Sequence, residues 1–208
     1  GEKIWAEVAD TLGRPIQAFY GILGEGNAVI EMAAASGLPL LKDSEKDILK
    51  TSTYGTGQLI GDALKRGCRA FILGLGGSAT NDGGAGAAAA LGIRYLDREG
   101  NEIRSGGALN QLEQIDTSQL QAGLELARFK IACDVNNPLF GPNGAAHIYA
   151  PQKGAKPQHV ELLDQGLQRL ASVMLVQTGL DMQDVPGSGA PGGLAVPFLA
   201  FLQAELVP

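Results

Sequence analysis

The sequence predicts an α/β fold, a mixed sheet with hairpins and flanking helices, and three observations carry that reading. Two continuous apolar runs, "CRAFILGL" and "FKIACDV", read as strands covered on both faces, as in a parallel sheet. Elsewhere the apolar positions recur at helical spacing, most clearly at Val160, Leu163, Leu167, Leu170, Met174 and Leu175. The opening, "KIWAEVAD" and "IQAFYGILG" around "LGRP", reads as a hairpin, so the sheet is not purely parallel.

In chain order, a third strand is expected at Ala28, Val29 and Ile30, followed by a small-residue segment ended by Gly37 and Pro39. "TSTYGTGQLIGDALKRG" starts a helix whose apolar face is Leu59, Ile60, Ala63 and Leu64. Lys65 and Arg66 suit its negative C-terminal end, and Gly67 stops it. "CRAFILGL" runs into a glycine-rich loop, and "AGAAAALG" then makes a short helix. "IRYLDREGNEIR" reads as two short strands around a turn at Asp97 to Asn101. After "FKIACDV", the stretch "NNPLFGPNGAAHIYAPQKGAKP" reads as loop, the long helix spans 158–178, and Gly179 closes it. A second glycine-rich loop, "VPGSGAPGG", leads into an apolar helix.

Composition excludes several classes. With 22 acidic against 16 basic residues and a net charge of −6, the chain lacks the basic surface that nucleic acid requires. No apolar stretch is long enough to span a membrane, so neither nucleic acid nor membrane is expected as a partner. Cys68 and Cys133 lie far apart without metal-ligand spacing, and read as reduced core cysteines. His147 and His159 form no ligand pair. The chain opens directly on a strand pattern and stops without a tail, which suggests a piece of a longer protein.

The candidate chemistry centres on "FILGLGGSATNDGGAG". Gly74, Gly76 and Ala79 fit G-x-G-x-x-G/A, with Asp97 about twenty residues on, where a dinucleotide's ribose-binding acid would stand. Against a dinucleotide-binding oxidoreductase, Asn81, Asp82, Gly83, Gly84 and Gly86 would fill the first turns of the required helix. Each interior glycine there costs ~1 kcal/mol relative to alanine. As a loop, the stretch offers backbone donors at Gly76, Gly77, Ser78, Ala79, Thr80, Gly83 and Gly84, with Ser78, Thr80 and Asn81 adding side-chain donors, to a phosphate or carboxylate. Asp82 then has two physical readings, a base or Mg²⁺ ligand for a substrate hydroxyl, or the cap of the following helix. Thr53, Gly55 and Thr56 either bind an anion at a helix start or cap that helix. Asp134, with Asn136 and Asn137, is a metal or substrate ligand at a strand end, or an Asx-turn before Pro138. Lys153 is a candidate cation for developing phosphoryl charge, and Gly192 and Gly193 a second close-approach loop.

These segments together resemble the bacterial class I glycerate kinases. The likeness rests on "PIQAFYGILG", "AVIEMAAASGL", "TSTYGTGQLI", "LGLGGSATNDGGAGAAAALG", "ACDVNNPLFGPNGAA", "APQKGA" and "GAPGGLAVPFLAF", in the family's order and over almost the whole chain. The resemblance implies ATP-dependent phosphorylation of D-glycerate, usually to 2-phosphoglycerate, in the cytoplasm. ATP is then the co-substrate, Mg²⁺ the assisting ion, and a homodimer an open question. It also implies that residues 1–208 are the middle, inserted lobe of a two-lobed kinase, whose other lobe comes from both chain ends and is lacking here. The isolated lobe is then expected to fold without turning over. On this reading Asp82 and Lys153 are catalytic, Asp134 holds Mg²⁺, and the glycine, threonine and asparagine positions above bind substrate or phosphate. A non-catalytic module that senses a phosphorylated metabolite is the competing reading.

Overall fold

A computed structural model describes residues 1–24, 26–183 and 185–208. Its main sheet has six strands: β1 (Glu2–Ala9), β2 (Pro15–Leu23), β3 (Asn27–Glu31), β4 (Ala70–Gly74), β8 (Arg128–Ala132) and β9 (Glu205–Val207), in the order β1-β2-β3-β4-β8-β9. β1–β2 and β2–β3 are antiparallel, whereas β3, β4, β8 and β9 run parallel. A second sheet, β6-β5-β7, is built from β5 (Arg94–Leu96), β6 (Glu102–Ile103) and β7 (Gln114–Asp116). The α-helices are α1 (Ala33–Ser36), α2 (Tyr54–Lys65), α3 (Ala85–Ala90), α4 (Ala145–Tyr149), α5 (Pro157–Thr178) and α6 (Ala195–Phe201). The mixed α/β class, the opening hairpin and the main helices follow the sequence pattern; β7, β9 and α4 were not predicted by it.

One face of the main sheet carries the core. Ile4, Val8, Ala18, Tyr20, Ala28, Ile30, Phe71, Leu73, Phe129 and Ile131 alternate inward and are buried. α2 lies against β1, β2 and β3, and α6 brings Phe198 to within 5.2 Å of Phe129, which stacks at 4.8 Å on Phe71. The Tyr20 hydroxyl donates to Asp62 of α2 at 2.8 Å, and burial raises its pKa.

The opposite face is open, which corrects the expectation that the apolar runs are covered on both sides. Ile72, in the middle of β4, is 42% exposed, and Trp5, Phe19 and Leu23 share that exposure. Topology supplies the reason. Parallel crossovers are right-handed almost without exception, and the order β3-β4-β8-β9 never reverses, so every connecting segment falls on the same face. A continuous apolar run such as "AFILG" therefore does not tell one-sided from two-sided cover.

The parallel strands also set the direction of the loops. The segments that follow β4 and β8 leave side by side at the carboxyl end of the sheet, since Gly74 pairs with Ala132. That end is where an α/β sheet receives ligands.

Candidate active site

A cleft of about 370 Å³ opens where β4 and β8 end. Its walls include Gly76, Gly77 and Ser78 after β4, Cys133, Asp134 and Val135 after β8, Tyr149, Gln152 and Lys153 from α4 and the turn after it, and Pro191. Gly76 and Gly77 are exposed, and among the described residues the amides of Gly76, Gly77 and Ser78 find no acceptor. Gly77 sits at φ +69°, a left-handed turn that suits glycine. Successive free N–H groups in such a turn make an anion-binding concavity.

The next residues behave differently. Thr80, Asn81 and Asp82 are buried, and none of them lines the cleft. The Asp82 carboxylate is fully enclosed and saturated with donors. Its Oδ2 accepts from the Thr53 amide at 2.8 Å, the Thr53 hydroxyl at 2.7 Å and the Gly86 amide at 3.2 Å, and its Oδ1 accepts from the Gly84 amide at 3.1 Å. Burial pushes this carboxyl up from its ordinary pKa while the four donors oppose that shift. So placed, Asp82 presents nothing to a ligand in the cleft. The carboxylate has the geometry of the second sequence reading, a tie between the first turns of α2 and α3, and stands off the cleft wall where the expected base or Mg²⁺ ligand would face substrate.

The same holds for the residues around it. Thr53 passes the bond onward by accepting from the Ala87 amide at 2.9 Å. Thr56 shares a 2.7 Å hydrogen bond with Ser36, and a Cβ on Gly55 would stand 1.8 Å from the Ala9 carbonyl, so this helix start is packed against protein. The Ala79 amide donates to Ser36, Gly83 donates to Gly192, and Gly84 caps α3 at φ +72°. Gly192 and Gly193 are close-approach glycines as expected, but what they approach is the protein itself, at Thr80 and Gly83. α3 begins at Ala85 and Asp97 closes its own turn with Asn101, so neither half of the dinucleotide fingerprint has its structural context.

Lys153 is 3% exposed, yet it reaches the cleft wall. Its Nζ donates to the Ser78 hydroxyl at 2.6 Å, to the Thr80 carbonyl at 2.7 Å and, weakly, to the Pro191 carbonyl at 3.5 Å. Burial draws its pKa down to about 7, and the Asp82 charge acts in the opposite sense. The cation thus clasps the end of the β4 loop to the second glycine-rich loop, and its charge lies behind the free amides. Asp134 is exposed and, among the described residues, is the carboxylate on the cleft wall. Asn136 instead lines a neighbouring groove with Val185 and Pro186. Asn137 is a structural tie: it donates to the Asn143 carbonyl and accepts from the Tyr149 hydroxyl at 2.5 Å. Tyr149 and Gln152 escaped sequence reasoning. Their signal is their place beside Lys153, where a four-residue step along "YAPQK" returns to the same side.

Fold and site define an α/β domain with a cleft at the carboxyl ends of its parallel strands, lined by the glycine-rich loop, Asp134 and Lys153. A profile for the "Glycerate kinase family" matches residues 1–208. The chain is 49% identical to the glycerate kinase of Bacillus subtilis (strain 168), over 99% of this chain and 54% of that protein. It is 48% identical to the glycerate 2-kinase of Escherichia coli (strain K12), over 99% of this chain and 55% of that protein. A crystal structure described as that of a candidate glycerate kinase 2 from Salmonella typhimurium LT2 superposes with a TM-score of 0.96 at 44% identity, covering 100% of this chain and 56% of that one. The chain belongs to the glycerate kinase family, and it spans about half the length of the curated relatives it matches.

Asp82→Asn is expected to lower stability by about 3 kcal/mol, because the new amide turns donors toward a pocket of donors. Urea unfolding followed by circular dichroism measures this, and an unchanged midpoint would contradict the structural role.

Proposed function

We propose that this chain is the middle lobe of an ATP-dependent kinase that phosphorylates D-glycerate, giving 2-phosphoglycerate, with the site completed by the remaining half of the relatives' length. The observation that carries the reading is the row of acceptor-free amides at Gly76, Gly77 and Ser78, set between the exposed Asp134 and the buried Lys153 at one cleft. Phosphoryl transfer needs positioning and charge neutralisation more than covalent help from the protein. The amides hold an anionic group, either a phosphate or the glycerate carboxylate, without bringing bulk to it. Lys153 adds positive charge from behind the loop. Its own donors are taken by Ser78, Thr80 and Pro191, so it acts by its field and by fixing the loop's shape. The chain supplies no acid at Asp82 for proton transfer; within this lobe that role falls to Asp134 or to the rest of the enzyme.

Magnesium fits this cleft as a partner of substrate oxygens. Among the described residues no three His, Cys, Asp or Glu side chains are grouped to hold a metal. Asp134 offers one carboxylate, and one or two carboxylates with phosphate oxygens and water form the usual Mg²⁺ shell. The ion would neutralise phosphate charge; Asp134 would hold it, and the amides of Gly76 to Ser78 would orient the anion beside it.

A chain extended to the full length of its relatives is expected to release ADP from ATP only when D-glycerate and Mg²⁺ are present, and the 208-residue chain alone is not. A phosphorus NMR spectrum of the product separates 2- from 3-phosphoglycerate. Glycerate-independent release, or none, would sink the kinase reading in favour of a non-catalytic binding module. Gly76→Ala sharpens the test, since a Cβ there meets nothing within 4 Å. Stability should be unchanged while kcat/KM falls about tenfold or more, because the methyl occupies the ligand's approach. Full activity in that variant would mean that the loop does not touch substrate.

Lys153 gives a pH signature with two opposite signs. Its folded pKa of about 7 lies below the ordinary 10.5, so the cation is present below pH 7 and fades above it. Affinity for sulfate, an anion that does not itself titrate in this range, should therefore weaken as pH rises through 7, and Lys153→Met should bind it weakly without that inflection. Fold stability runs the other way. The unfolded chain binds the extra proton between pH 7 and 10.5, so Lys153 makes stability rise with pH across that window. Isothermal titration at several pH values, alongside unfolding at the same values, reads both; a pH-independent affinity in the parent chain would contradict the role.

A further inference from the structure

The outer edge of β1 is built to pair with itself. β1 is the first strand of the sheet order, eight residues long, and its register with β2 runs without a break from Glu2↔Ile22 to Ala9↔Pro15. An edge of that length, free of proline and bulges, is a template for another strand. At the hairpin mouth the Asp10 amide donates to the Arg14 carbonyl, which makes Asp10↔Arg14 a hydrogen-bonded pair. The pairs alternate from there, so the even residues of β1 bond to β2, while Lys3, Trp5, Glu7 and Ala9 turn their main-chain groups outward. Ala9 agrees, because its amide is taken by the Gln58 side chain at 2.7 Å. The same odd residues place their side chains on the open face. There Trp5 is 54% and Phe19 43% exposed, with ring centroids 5.2 Å apart and the Lys3 ammonium 3.6 Å from the Phe19 centroid.

We propose that β1 pairs antiparallel with β1 of a second copy of this chain, about a two-fold axis through Trp5. Main-chain donors meet acceptors only when odd residues face odd residues, and few such registers exist. Centred on Trp5, the register sets Lys3 opposite the partner's Glu7 and Glu7 opposite the partner's Lys3, with Trp5 beside the partner's Trp5. Centring on Lys3 or Glu7 sets like charges against each other. Centring on Ile4 or Ala6 leaves Lys3 and Glu7 without each other. Charge and hydrogen-bond parity thus select the same alignment. The pairing merges two six-stranded sheets and brings Phe19 and Trp5 of each copy into one aromatic strip on the same face. It rests on β1 and is independent of the chemistry at the cleft.

Sedimentation equilibrium of the 208-residue chain should show a dimer. Lys3→Glu and Glu7→Lys should each weaken it about tenfold, through two like-charge cross-strand contacts, and the double variant should restore it. In the parent chain, amide hydrogen exchange at Lys3, Trp5 and Glu7 should slow as concentration rises, while Ile4 and Ala6 stay unchanged. That readout needs no variant to fold. A monomer up to near-millimolar concentration overturns the proposal. So does a dimer indifferent to both single substitutions, a folded double variant that fails to recover, or concentration-independent exchange at the three odd amides.

Discussion

The carboxylate of Asp82, enclosed and bonded to four donors, is the interaction on which the site depends. It joins two pieces of chain that are far apart in sequence: the start of α2 at Thr53, and the continuous stretch in which the loop from β4 runs through Asp82 into the start of α3 at Gly84 and Gly86. Such a group would be costly to bury alone, and four hydrogen bonds offset that cost. The close approach it enforces also explains the small residues nearby. A Cβ on Gly86 would stand 2.1 Å from the Ser52 hydroxyl, so the two helix starts meet only because glycine is there.

The glycine-rich loop therefore has two halves with different work. From Ala79 to Gly86 its bareness lets the protein pack against itself, and from Gly76 to Ser78 it leaves donors free at the cleft. Lys153 belongs to both halves, since it bonds the Ser78 hydroxyl and the Thr80 carbonyl. A buried ammonium that braces a loop while lending it charge is consistent with a site that must receive an anion without closing a direct ion pair on it.

Much of the fold could be read from residues, and the failures have physical causes. Helices α2 and α5 were plain because long periodic stretches end in basic residues or in Gly179, which adopts φ +75°. Three-residue strands such as β7 and β9 carry too few positions for any period to show; they exist because neighbours pair with them. One-sided cover of β4 was hidden because strand order, which no single strand encodes, decides which face the crossovers occupy. In the site, the loop and the lysine singled out in the sequence meet at one cleft. It could not orient Asp82, because capping and catalysis both call for an acid beside glycines, and only the position of Thr53 distinguishes them.

One loop divides at Ser78 into a donor half and a packed half, and the most direct measurement is a nitrogen–proton NMR titration of the 208-residue chain with inorganic phosphate. Amide resonances of Gly76, Gly77 and Ser78 should move with saturating dependence on phosphate, while those of Asn81, Gly83 and Gly84 hold still. Saturable shifts confined to the buried half, with Gly76 to Ser78 silent, would contradict it.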